Sequence, residues 1–128
     1  MATYVRFETP FCCAVHDRPL GVFRSVSRLE ESADLPDWME TTLSEVLDWF
    51  NDHLPVPTSQ EFDRRAIFWF HRQSEVVREM WQLVSVFREA GIHISLRRTT
   101  MPGRIVYRDE FQVAAIPYGH GRRCTRRK

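Results

Sequence analysis

The stretch from Ala66 to Leu96 constrains the fold most, because its apolar period changes twice. Ala66 to Phe70 is an uninterrupted apolar and aromatic run, too short for a full helix and of the kind found in a central strand covered on both faces. Val77, Met80, Trp81, Val84 and Phe87 then recur at helical spacing, with Ser74 suited to cap this helix and Gly91 to end it. Ile92, Ile94 and Leu96 finally alternate with His93 and Ser95, which is the period of a strand. Strand, helix and strand in that order make, most simply, a right-handed parallel crossover.

The flanking segments extend this pattern. From Tyr4 to Glu8, Val5 and Phe7 point one way and Tyr4, Arg6 and Glu8 the other, which predicts a first strand with one face buried. Pro10 to Pro19 reads as a loop holding Cys12 and Cys13. Val22, Phe23, Val26 and Leu29 follow helical spacing and predict a short helix over 20–29, a strand through Val22 being the alternative. Pro36 suits a first helical position, and Met39, Leu43, Val46, Leu47, Phe50 and Leu54 form a continuous stripe until Pro55 and Pro57 stop the helix. Beyond the turn at Met101, Pro102 and Gly103, the segments Ile105 to Tyr107 and Phe111 to Ile116 read as a hairpin around Asp109 and Glu110.

The expected architecture is a single α/β domain over 1–118, followed by a flexible basic tail over 119–128. Its sheet is expected to be mixed, of about five strands, with a parallel strand–helix–strand unit, a C-terminal hairpin and helices packed on it. At 128 residues, 43% of them hydrophobic, the chain is large enough for a core without staples, burying roughly 65% of its unfolded surface. No apolar run approaches the ~20 residues a membrane helix needs. The N-terminus lacks a basic segment followed by an apolar one, so the expected location is cytoplasmic, without membrane contact.

The charges are sorted along the chain. Residues 1–64 carry 12 acids against 5 arginines, and residues 65–128 carry 13 basic residues against 5 acids, behind a net charge of only +1. From Leu29 through Asp63 there are ten carboxylates and no Lys or Arg. Such asymmetry points to charged partners, the plain alternative being that the halves neutralise each other across one surface. The only lysine is Lys128, which disfavours Schiff-base chemistry, a phosphate-loop lysine and lysine-dependent nuclease sites.

Two constellations follow. On the acidic helix, Asp37, Glu40, Glu45, Asp48 and Asp52 fall largely opposite the apolar stripe, and like charges at this spacing each cost about 0.2–0.5 kcal/mol per pair. Asp37 and Glu40 have a local reason, since acids in a first turn complement the helix dipole. Trp38 and Trp49 flank the stripe and are candidate anchors for a protein interface. At the carboxyl edge of the expected crossover stand His71, Arg72 and Ser74, then Arg97, Arg98 and Thr99, with Arg104 opening the next strand; this set is a candidate anion site at a helix N-terminus. It has no glycine-rich phosphate loop, and successive Arg97 and Arg98 would point to opposite faces of a strand.

Cysteine and histidine offer less. Cys12, Cys13 and His16 share one loop and His120 and Cys124 lie near the tail, but adjacent cysteines match zinc spacing poorly and strain a mutual disulfide, so reduced thiols are expected and neither a metal nor a cofactor. No set supplies nucleophile, base and stabiliser together. The sequence therefore points to a small cytoplasmic, non-enzymatic binding or regulatory protein whose acidic helix docks on a basic surface of a protein partner, one that could itself hold nucleic acid. The alternatives are a phosphate or nucleic-acid binding domain using the arginine edge and tail, and an arginine-dependent phosphoryl or nucleotide enzyme with His71 as its acid or base.

Overall fold

The computed structural model describes residues 2–13, 18–32, 34–54 and 65–118. These form β1 (Tyr4–Cys13), β2 (Arg18–Gly21), α1 (Val22–Ser32), α2 (Asp37–His53), β3 (Ile67–His71), α3 (Glu75–Glu89), β4 (Ser95–Thr99), β5 (Arg104–Arg108) and β6 (Gln112–Ile116). Positions 14–17 of the expected loop, Pro55, Pro57 and the expected tail from Gly119 lie outside the described residues.

The topology corrects the expected parallel crossover. Every strand pairing among the described residues is antiparallel, and the sheet has six strands, not five. Tyr4 is registered with both His71 of β3 and Thr99 of β4, so β1 lies between the two strands that α3 connects. Those strands run the same way without touching. Strand, helix and strand do follow one another, but the second strand is Ser95–Thr99 and not the alternating Ile92–Leu96, of which only Ser95 and Leu96 belong to it, and α3 carries the chain across one intervening strand. Sequence period reports which face of a strand is buried and is silent on which strand lies beside it.

β1 is also longer than its alternation suggested. Cys12 opposes Pro19 and Cys13 opposes Arg18 in a hairpin with β2, where a loop was expected over 10–19. β2 and β3 share one edge of β1, because Glu8 is flanked by Gly21 and Ser95 just as Tyr4 is flanked by His71 and Thr99; β4 holds the other edge. β3 continues through β6 to β5, whose hairpin forms the far side of the sheet.

The helices share one face. Val5, Phe7, Phe70 and Ile94 meet Val22, Val26 and Leu29 of α1, Met39, Leu43, Val46 and Phe50 of α2, and Val76, Met80, Leu83, Val84 and Phe87 of α3 in one core. Each large apolar side chain buried there contributes about 1.5–3 kcal/mol. The core is closed at the end of α3 by Gly91, whose φ of 86° suits glycine, and Gly91 and Ile92 return their N–H groups to Arg88 and Phe87 carbonyls at 3.0 and 2.9 Å. α2 starts one residue later than its sequence suggests, with Pro36 flanking the first turn and Asp37 leading it.

On the opposite face Tyr4, Trp69 and Val113 form a second small cluster with Ile67 and Ile105. Both faces of β1 are therefore buried, Tyr4 to 7% exposure and Glu8 to 6%, where the alternation predicted only one. Cys12 is disulfide-bonded, which corrects the expectation of three reduced thiols; its partner sulfur lies outside the described side chains.

Candidate functional site

The acidic helix positions its carboxylates by simple period. Met39, Leu43, Val46 and Phe50 are buried, which turns Asp37, Glu40, Glu45, Asp48 and Asp52 outward, and all five are exposed. Trp38, Glu45 and Asp52 are spaced seven apart and Asp48 falls between the last two, so an indole heads a row of carboxylates on one side. Trp38 is 54% exposed, a large apolar surface beside water. Trp49 is half-buried: its ring meets Phe50 edge-on and stacks on His53 at 4.2 Å, and His53 Nδ1–H donates to the Trp49 carbonyl at 2.8 Å.

None of these five carboxylates makes an ion pair or a side-chain hydrogen bond among the described residues, and the same holds for Glu30, Glu31 and Asp34. The described arginines of the C-terminal half form no ion pair with them. Within the described residues the halves of the chain do not neutralise each other through this helix.

Glu8 is the contrasting carboxylate. Arg6 Nε donates to Glu8 Oε2 at 2.9 Å, and Arg97 Nη1 donates to Glu8 Oε1 at 3.4 Å. The Arg6 guanidinium also donates to the carbonyls of Phe68 at 3.2 Å and Pro19 at 3.1 Å. It thus fills the place where the β1–β3 ladder ends at Val5 and the β1–β2 ladder begins at Glu8. Burial pulls the Arg6 pKa below its ordinary value, against the opposite pull of the Glu8 charge. Sequence alternation placed Arg6 and Glu8 on one face but carried no sign that this face is buried. The only signal was two opposite charges two residues apart on a strand.

The expected anion set is only partly gathered. His71 ends β3 and Arg72 follows it, Arg98 and Thr99 end β4, and Tyr4 lies between the two strands, its ring 5.2 Å from that of His71. Ser74 occupies the N-cap position of α3, yet its hydroxyl donates back to the His71 carbonyl at 3.0 Å instead of to the first turn. Arg97 faces Glu8, whereas Arg98 is registered with Val5 and so lies on the helix side. Arg104 is opposite Ile116 on β5, near the start of β3 and at the far side of the sheet, away from the other five.

At the β5–β6 turn a different acid is engaged. Asp109 accepts from the Tyr107 hydroxyl at 2.7 Å, the Gln112 side chain at 2.9 Å and the backbone N–H groups of Phe111 and Gln112 at 2.8 and 3.1 Å. Burial alone would raise its pKa, but these hydrogen bonds, led by that from Gln112, hold the carboxyl below its ordinary value.

Among the described residues no three of His, Cys, Asp and Glu come together as metal ligands; His16, His120 and Cys124 lie outside them. No helix among the described residues is long and apolar enough to cross a membrane. Compared with known proteins, the chain matches no family model, no curated protein and no solved structure.

Proposed function

We propose that this is a non-enzymatic binding protein whose α2 docks its acidic face on a basic surface of a protein partner. The observation that carries this reading is the row of exposed carboxylates on α2 with no ion pair among the described residues. Like charges so placed cost stability on their own helix, and no arginine among the described residues pairs with them to offset the cost. Trp38 supplies the apolar anchor such an interface needs, because an indole desolvated on docking contributes far more than rim charges do. Carboxylates in a row also resemble the phosphates of a nucleic acid, so a partner surface that ordinarily holds nucleic acid would suit the same face. The dispersal of Arg104 from the other arginines leaves the anion-binding reading with less support.

The cytoplasmic location expected from sequence is at odds with the disulfide at Cys12, since cytosolic thiols are ordinarily kept reduced.

Affinity capture from native cells, with and without nuclease, tests the proposal. A basic protein should be retained after nuclease by the wild type and lost by the E45R/D48R/D52R variant, with circular dichroism unchanged. Equal capture by both proteins would refute it, and so would partners that vanish with nuclease.

A further inference from the structure

The two outer strands of the sheet are built differently. β5 pairs with β6 through a register shift between Ile105 and Tyr107, and a bulge of this kind spoils an edge as a template for another strand. β4 pairs with β1 over five consecutive residues without irregularity, from Tyr4 opposite Thr99 to Glu8 opposite Ser95. The outward N–H and C=O groups of β4 form no backbone hydrogen bond among the described residues. A regular edge left unpaired among the described residues is the feature that extended peptides use for strand addition.

A side-chain strip runs beside this edge. Trp81 of α3 meets Phe7 edge-on, with centroids 4.9 Å apart and planes at 80°, and Phe7 is the cross-strand neighbour of Leu96. Trp81 therefore stands over the β1–β4 seam, yet it remains 39% exposed. Helical period sets Arg78, Ser85 and Arg88 within about 60° of Trp81, Glu89 at about 80°, and Glu75 and Glu79 at about 120° or more. The Arg88 guanidinium lies 5.7 Å from the Trp81 ring. Arg98, exposed and two residues from Leu96, faces the same side of β4. Because α3 leaves the carboxyl end of β3 and returns to the amino end of β4, Arg88 is near the Ser95 end and Arg78 near the Thr99 end. The strip thus reads basic, apolar, basic along an open strand edge.

The charges select the occupant. A second copy pairing antiparallel along β4 would oppose the Arg97–Arg98 rows of the two chains, and like charges directly opposite destabilise a strand pair. We infer that β4 is a docking edge for an extended acidic segment of another protein. The segment adds as a seventh strand, its central apolar side chain against Trp81 and Leu96 and its carboxylates toward Arg78, Arg88 and Arg98. This surface is separate from α2.

Fluorescence anisotropy with a labelled Ser-Asp-Thr-Val-Thr-Asp-Ser peptide tests it. Saturable binding to the full chain is expected, weakened about tenfold or more by Arg98→Glu, an exposed position whose change leaves the core intact. Trp81→Ala should weaken it similarly. N-methylating one alternate set of peptide amides should abolish binding, while methylating the other set spares it, because only one set faces β4. Absence of saturable binding overturns the inference, as does equal binding by Arg98→Glu or tolerance of both methylated peptides. Tighter binding of an oligothymidylate of the same length, lost in Arg98→Glu, overturns it in favour of nucleic acid.

Discussion

Glu8 holds its carboxylate between two guanidinium groups in a side chain almost removed from water, whereas the five carboxylates of α2 stand exposed without an ion pair among the described residues. The first joins strands: through Arg6 it ties β1 to the carbonyls of β2 and β3. The others join nothing within the described chain. Acids in one sequence thus divide into those that hold the fold and those that the fold merely carries, and only the second kind is free to serve a partner. Among the described residues the acids of α2 belong to the surface, while the ion pairs gather on Glu8 of β1.

The largest blow to this contrast comes from Glu8→Ala. It leaves the largely buried Arg6 guanidinium with no countercharge among the described residues, and unfolding in urea should show a loss of about 3–5 kcal/mol. Arg97→Ala sharpens the same point from the exposed end: its guanidinium is 3.4 Å from Glu8 and its side chain 35% exposed, so the loss should be only about 1 kcal/mol or less. A loss as large as that of Glu8→Ala would show that Arg97, and not Arg6, is the main countercharge.

Asp109 falls between the two kinds of acid, engaged by neutral donors among the described residues. Asp109→Ala should destabilise by about 2–3 kcal/mol, since four donors lose a charged acceptor at the hairpin turn. The pH dependence has a definite sign. With the folded pKa depressed, the contribution of Asp109 is fully present above the unfolded value of about 3.9 and is lost as pH falls through the lower folded value. The stability gap between wild type and Asp109→Asn, measured by urea unfolding, should therefore narrow below about pH 4. A gap that stays constant down to pH 2 would show that the carboxylate charge contributes nothing there.

These residues also mark how far the sequence could be read. The buried stripe of α2 and the apolar run of β3 were legible because each repeats one period over many residues. β2 was not, for Arg18-Pro19-Leu20-Gly21 buries only Leu20 and carries a proline, so it offers no alternation to detect. The place of β1 between β3 and β4 was illegible for a different reason: pairing partners are set by long-range packing, and an alternating strand looks the same beside any neighbour. Of the candidate residues, the outward turn of Asp37, Glu40, Glu45, Asp48 and Asp52 followed from period alone. What period could not reveal was whether any arginine would reach them, and the same blindness hid the Glu8 pairing and the separation of Arg104.

The smallest expected effect is the most direct test, because it asks whether α2 depends on its own chain for countercharge. In Asp48→Arg, two repulsive pairs, with Glu45 and with Asp52, become attractive, and the new cation sits nearer the carboxyl end of the helix dipole. Urea unfolding at low salt should show a gain of about 0.5–1 kcal/mol over wild type. A loss of about 1 kcal/mol or more would contradict the account, since it would mean that Asp48 is held by a basic group of this chain and that the acidic face belongs to the fold.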